Sequence, residues 1–219
     1  MDEASQIPGP VFVSIADRLP YIRHIYIGDV YQEEPHVHCP SSSNSAAFGA
    51  RSVMSVLDAA ANVSIAHLVT TFRAHPSLNE LPNRLTYGWT LVSGADATER
   101  LLLLDLFEFS DRNLPFLFVD VAGALQRAVT KSHHNEVEAT VCLIIATELE
   151  GRGVSADQIC MISFHREQLR RLAEPVRDLG IELSTVDTVQ GREKDVVILL
   201  TTETGFDPKA PSSWMISDV

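Results

Sequence analysis

Asp187, Gln190, Gly191 and Glu193 lie together in the segment VDTVQGREKDVVILL, residues 186–200, between two apolar, β-rich runs. A glycine there permits close backbone approach to a ligand, the N–H groups after Gln190 can face a phosphate, and the Glu193 carboxylate can accept hydrogen bonds from ribose hydroxyls. Two further polar clusters follow apolar runs in the same way: Gly28, Asp29 and Gln32, and then Ser163, His165 and Gln168. In open α/β sheets ligands bind beyond the carboxyl ends of the strands, where loops and helix N-termini gather free N–H groups. Such clusters, repeated along one chain, point to a ligand-binding edge. His36, His38 and Cys39 offer metal-ligand types, but no second pair stands at zinc-site spacing, so they read as loop composition.

The elements that must position these residues alternate. From Ile65 onward short apolar runs are separated by amphipathic stretches, the pattern of a mostly parallel sheet covered by helices, and the fold class is α/β. Residues 135–149 set Val137, Val141, Ile144, Ile145 and Leu149 on one helical face, with Asn135 and Glu138 spaced as a capping box. Gly151 and Gly153 end that helix. Residues 158–163 then read as a buried strand, followed by a helix with Leu169, Leu172, Val176 and Leu179 inward and Gly180 closing it. Residues 181–186 and 195–202 read as two more strands and 114–121 as an earlier one, with 122–134 a polar, mobile loop. The first sixty or so residues differ: a strand-like run at 23–27 ends in Gly28 and Asp29, a Ser-rich loop follows, and an apolar helix spans about 50–61, which places a boundary near Asn62.

Composition sets limits. The 219 residues are 45% hydrophobic and 21% charged, ordinary for a packed chain, and no apolar run approaches the roughly 20 residues of a membrane span. The N-terminus carries acidic residues and no apolar h-region behind a basic segment, so it does not read as a secretory signal. Cys142 and Cys160 sit in apolar runs as small core residues, and with Cys39 they are too few for a disulfide framework. A net charge of −12 argues against a protein that coats phosphates with Lys and Arg, while leaving room for a local groove that holds a strand.

In their order along the chain these segments resemble the motifs of superfamily 1 helicases, in the branch that includes the nonsense-mediated-decay RNA helicases. Residues 2–6, DEASQ, resemble the family's motif II, which implies that Asp2 holds Mg²⁺ through its water shell and that Glu3 orients and deprotonates the attacking water. Gly28, Asp29 and Gln32 resemble motif III, at the nucleotide, whose glutamine reports the γ-phosphate to the nucleic-acid side. TFRAHP, residues 71–76, resembles the Tyr-Arg-Met-His-Pro segment, which implies that Arg73 neutralises charge growing on a transferred phosphoryl group. Asn135, Glu138 and Ala139 resemble an Asn-x-x-Glu-Ala segment with a structural, capping role. Ser163, His165 and Gln168 stand where the family has Thr-Pro-Tyr-x-x-Gln, a loop that faces nucleic acid. The 186–200 segment resembles motif V, implying that Gly191 and Glu193 serve the nucleotide while Thr185 and Asp187 face the nucleic-acid backbone. The fold implied is a RecA-like mostly parallel sheet flanked by helices over 63–219, preceded by a partial first RecA-like domain over 1–62.

No G-x-x-x-x-G-K-[ST] stands anywhere in the 219 residues, the chain begins at the motif II match, and it stops before an arginine-bearing motif VI. The resemblance therefore implies a fragment of an ATP-dependent RNA or DNA helicase that does not hydrolyse ATP unaided and needs a missing N-terminal motor half. ATP and Mg²⁺ are the cofactors of the complete motor, a single strand of RNA or DNA its partner, and a cytoplasmic or nuclear setting away from membranes its place. Asp2 and Glu3 are expected to dangle without the strand that should carry them. Arg73 and the groups around Gly191 are expected to line one nucleotide-gripping cleft. The other reading is a non-catalytic helicase-like module that binds a partner or an RNA strand.

Overall fold

Near the N-terminus the backbone is tied to a segment far along the chain, Ile27 N–H donating to Met1 O at 2.8 Å and Ala4 N–H to Ile27 O at 2.9 Å. These bonds belong to a computed structural model that describes residues 1–32, 34–35, 39–40, 42–60, 63–189 and 192–203. By its contacts the chain divides into two units, Met1–Val69 and Thr70–Val219.

In the first unit, α1 (Gly9–Arg18) starts at an extended Pro8 with Pro10 in its first turn, where a missing N–H costs nothing. Ser43 caps α2 (Asn44–Gly49) by accepting from Ala46 N at 3.2 Å, and α3 (Val53–Ala60) packs against the 3-10 turn Ala4–Gln6. The run at 23–27 is paired to 1–4 by the bonds above without forming a full ladder, so residues 1–4 do not dangle: Ala4 and Ser5 are buried. The enclosed apolar set is small, Ala4, Ala50 and Val53, while Tyr21 and Ile25 stand 99% and 72% exposed.

The second unit opens with β1 (Thr70–Thr71), α4 (Pro76–Leu85) and β2 (Val92–Ser93), β1 and β2 pairing in parallel with Thr71 opposite Ser93. After α5 (Leu102–Leu106), β3 (Gln126–Arg127) and β4 (His133–His134) form an antiparallel hairpin, so the stretch read as a polar loop is in part a sheet. Residues 114–121, expected as a strand, join no sheet; Pro115 has no N–H to give a ladder, Phe116 N–H turns back to Leu114 O at 2.8 Å, and Phe116, Leu117 and Phe118 are exposed.

The core follows. Next come α6 (Glu136–Gly151), β5 (Ile159–Ser163), α7 (Arg166–Leu179), β6 (Glu182–Thr185) and β7 (Val196–Leu200), with the three strands in the order β6-β5-β7, all parallel. All five β5 residues are buried, as a central parallel strand covered on both faces requires, whereas β7 buries Val196 and Leu200 and exposes Val197 and Leu199. Both helices pack on the sheet. The α6 face differs from the expected one: Ala139, Cys142, Ala146 and Leu149 are buried, while Val137 and Ile144 are 47% and 62% exposed. Both stripes have helical spacing, and the one with small side chains lets the helix lie closer to β5 and β7. Leu172 and Val176 of α7 are fully enclosed, and Gly180, at φ 75°, stops the helix in a conformation that side chains disfavour. The α/β expectation, parallel strands with helices against them, is what this unit shows.

Candidate functional site

Arg73 sits two residues beyond the end of β1, and its backbone is held on several sides. Gly94 N–H donates to Thr71 O at 2.8 Å. The Phe72 ring lies against Gly94 so closely that a Cβ there would come within 2.3 Å of it. Arg100 brackets the residue, its Nε donating to Arg73 O at 3.1 Å and a terminal nitrogen to Phe72 O at 2.9 Å. On the other side His75 is buried and caps α4, its Nδ1 accepting from Ser77 N at 3.2 Å, with Pro76 pre-set for the first turn. The main chain is fixed by short-range chemistry and only the guanidinium projects.

That guanidinium meets Glu193. Arg73 Nε donates to Glu193 Oε1 at 2.7 Å and a second nitrogen lies 2.7 Å from the same oxygen, across 120 residues of sequence. Both side chains are well exposed, 60% and 64%, so the pair holds by position more than by burial. Glu193 is itself positioned by its neighbours. Arg192 and Lys194 both bind Glu182 at the start of β6, Lys194 Nζ also reaches Asp157 O at 2.6 Å, and Asp195 accepts from Gln158 Nε2 at 2.8 Å. The hydrogen bond from Arg192, then that from Lys194, holds the Glu182 carboxyl below its ordinary range. At the other end of the loop Thr185 and Thr188 exchange side-chain and backbone bonds in a tight turn that leaves Asp187 exposed. Gln190 and Gly191 lie outside the described residues.

The cluster after β5 is enclosed. Ser163, His165 and Gln168 are 0%, 2% and 0% exposed. Gln168 accepts from Asn135 N at 2.7 Å and donates to Asn135 O at 3.1 Å and Glu138 Oε2 at 3.4 Å. Asn135 in turn caps α6, its Oδ1 accepting from Val137 N and Glu138 N, both at 3.1 Å. Glu138 receives the backbone N–H groups of Thr201 and Thr202 just past β7, at 3.0 and 3.1 Å. One polar node thus ties the N-terminal ends of α6 and α7 to the end of β7. Burial raises the Glu138 carboxyl above its ordinary value against the pull of those N–H groups, and burial, with Glu138 nearby, pushes the Cys142 thiol up to about 12, so it stays protonated and inert.

In the first unit Asp29 gathers its own cluster, accepting from Tyr31 N at 2.9 Å and Gln32 Nε2 at 3.1 Å. Gly28 touches the 3-10 turn: a Cβ there would lie 2.8 Å from Ser5 N and 2.9 Å from Ala4 N. The Asp2–Glu3 and Gly28–Asp29 segments are therefore backbone neighbours within that unit. Asp2 is exposed and accepts from Glu3 N at 3.0 Å, while Glu3 adopts φ 50°, a strained value for a side chain. Among the described residues no group of three or more His, Cys, Asp or Glu is placed to hold a metal directly. The arrangement joins Arg73 to Glu193 and Asp29 to Gln32, and encloses Ser163, His165 and Gln168. Arg100 was not foreseen, because an arginine whose partners are backbone carbonyls leaves no pattern in sequence.

Residues 50–210 match the family model described as an AAA domain. The chain is similar to an uncharacterized ATP-dependent helicase of Caenorhabditis elegans, 27% identical over 92% of the chain and 14% of the relative. It is also similar to the DNA replication ATP-dependent helicase/nuclease JHS1 of Arabidopsis thaliana, 26% identical over 100% of the chain and 17% of the relative. To the regulator of nonsense transcripts 1 homolog of Drosophila melanogaster it is 30% identical, over 60% of the chain and 12% of the relative. The chain thus spans less than a fifth of the length of these relatives. No helix among the described residues is long and apolar enough to cross a membrane.

Proposed function

Since the chain belongs to the AAA-domain family of superfamily 1 helicases, we propose that it supplies part of an ATP-driven motor acting on a single strand of RNA or DNA. Within it, residues 1–62 carry motifs II and III and residues 63–219 carry most of the second RecA-like domain. The observation that carries this reading is the meeting of Arg73 with Glu193 on a braced backbone. A planar, permanently charged fork held at a loop that offers a sugar-binding carboxylate suits a nucleotide, with Arg73 meeting developing charge on a phosphoryl group and Glu193 taking ribose hydroxyls. Gly191 of the second unit is assigned to the nucleotide, as are Gly28 and Asp29 of the first unit, each taken by itself, and Gln32 to coupling the nucleotide to the strand. Mg²⁺ would neutralise phosphate charge. Asp2, exposed and with one internal hydrogen bond, suits contact through the ion's water shell, and Glu3 would orient the attacking water. Thr185 and Asp187, in a turn open to solvent, face the strand.

The phosphate loop must come from outside this stretch, because its 219 residues contain no G-x-x-x-x-G-K-[ST]. Expected behaviour follows: weak ATP binding that Arg73→Ala lowers roughly ten- to hundredfold, the scale of a charge-assisted hydrogen bond of about 1.5–3 kcal/mol, and no strand-stimulated turnover. Robust ATPase activity of this chain alone, surviving Glu3→Gln, sinks that reading. A second reading is a helicase-like module that binds a partner or an RNA strand without nucleotide. Strand binding indifferent both to ATP and to Arg73→Ala would select it. An intracellular setting, cytoplasmic or nuclear, goes with either.

A further inference from the structure

Beside the enclosed cluster after β5 lies a groove of about 410 Å³ that the sequence did not suggest, lined by Arg127 and the turn 128–130 of the β3–β4 hairpin and by Arg170 and Arg171 of α7. Gln126 and two buried groups, Glu167 and His134, complete its lining. Arg170 donates through Nε and a terminal nitrogen to the two oxygens of Glu167, at 2.9 and 2.6 Å. Arg171 donates to Glu167 at 3.1 Å and to Glu136. Arg127 engages Lys131 O through Nε at 3.3 Å. A guanidinium carries five N–H donors, so each of the three keeps donors beyond those used internally, and Glu167 holds two of the forks in fixed orientation. With Lys131 in the same hairpin, cations outnumber the carboxylates of Glu167 and Glu136, a local reversal in a chain of net charge −12. The Ser132 hydroxyl of the hairpin accepts from Glu167 N at 3.2 Å, which fixes the hairpin against the start of α7.

We propose that this groove is a binding site for the phosphodiester backbone of a single nucleic-acid strand, with Arg127 and Arg170 on phosphate oxygens. It would take the role that Ser163, His165 and Gln168, enclosed at 0%, 2% and 0% exposure, are not placed to perform. The proposal rests on the nucleic-acid reading above. It differs in assigning the contact to side chains outside the motif-like segments, with Glu167 as a positioning residue for the arginines. Phosphate contacts of this kind fix a strand without reading its bases.

The test uses the full chain and a short fluorescent oligonucleotide, titrated by anisotropy over a series of salt concentrations. Arg127→Ala with Arg170→Ala should weaken binding roughly tenfold at low salt, and the slope of log K against log salt should flatten by about 0.7 per arginine removed. Arg127→Ala alone, which leaves the Glu167 pairs untouched, should give half of that change in slope. Arg177→Ala, at the far end of α7 and 74% exposed, should change neither quantity. Affinity and slope unmoved by Arg127→Ala and Arg170→Ala overturn the groove while leaving the nucleic-acid reading standing, and so does an equal loss from Arg177→Ala. Absence of any oligonucleotide binding by the unmodified chain overturns both.

Discussion

Replacing Gln168 with alanine separates a structural role from a contact role. Its amide is fully enclosed and makes bonds at 2.7 and 3.1 Å to the backbone of Asn135 and a longer one, 3.4 Å, to Glu138. Alanine leaves the Asn135 N–H and C=O without those partners in a place that water reaches poorly, and each such orphan costs about 1–3 kcal/mol. The Glu138 bond is long enough to add little. Asn135 also caps α6, and loosening its backbone puts part of a further ~1 kcal/mol at risk. Allowing for relaxation, the expected loss is about 3 kcal/mol, a large share of the 5–15 kcal/mol or so that a domain possesses. Urea unfolding of the full chain followed by circular dichroism measures it. Gln168→Glu should do worse near neutral pH, since it keeps an acceptor but loses both donors and sets a second carboxylate beside Glu138, and it should recover part of the loss as pH falls. If Gln168→Ala costs less than about 1 kcal/mol and oligonucleotide affinity drops instead, the residue is a strand contact and the reasoning is wrong.

Other outcomes can be checked on the same protein. The hydrogen bond from Arg170 is the largest influence holding the Glu167 carboxyl at about 2 against an ordinary 4.5, so it contributes stability that is complete above 4.5 and is lost as pH falls from there toward 2. Glu167→Gln should remove that share of the acid loss, and an acid titration with the same shape as the unmodified chain's would count against it. Gly28→Ala pushes a Cβ to 2.8 Å from backbone, Ser5 N, and should cost roughly 1–3 kcal/mol with loss of hydrogen-exchange protection at Ala4 and Ile27; unchanged protection would show that the two segments are not in contact. Glu193→Gln frees Arg73 from its ion pair, so tripolyphosphate, which has no ribose, should bind about two- to fivefold tighter by calorimetry, the range that exposed pairs allow; weaker binding would mean that Glu193 does not compete for Arg73.

The sequence by itself determined the class of fold and the places where chemistry could gather. Apolar runs gave β5 and β7, the alternating, β-prone IELSTV at 181–186 gave β6, helical spacing with Asn135 ahead and Gly180 behind gave α6 and α7, and polar residues after strand-like runs marked the edges where ligands bind. These signals are local, a matter of period and of which backbone angles a residue tolerates. Tertiary structure alone decided which of two helical stripes on α6 faces inward, because both have the right period and only the packed neighbours discriminate between small and large side chains. It also decided that residues 114–121 stay out of the sheets, that Gln168 turns inward to Asn135, that Glu193 lies within 2.7 Å of Arg73, and that Arg127 and Arg170 share a groove. Each of these depends on distances between residues far apart in the chain, and those are set by how whole elements pack against one another.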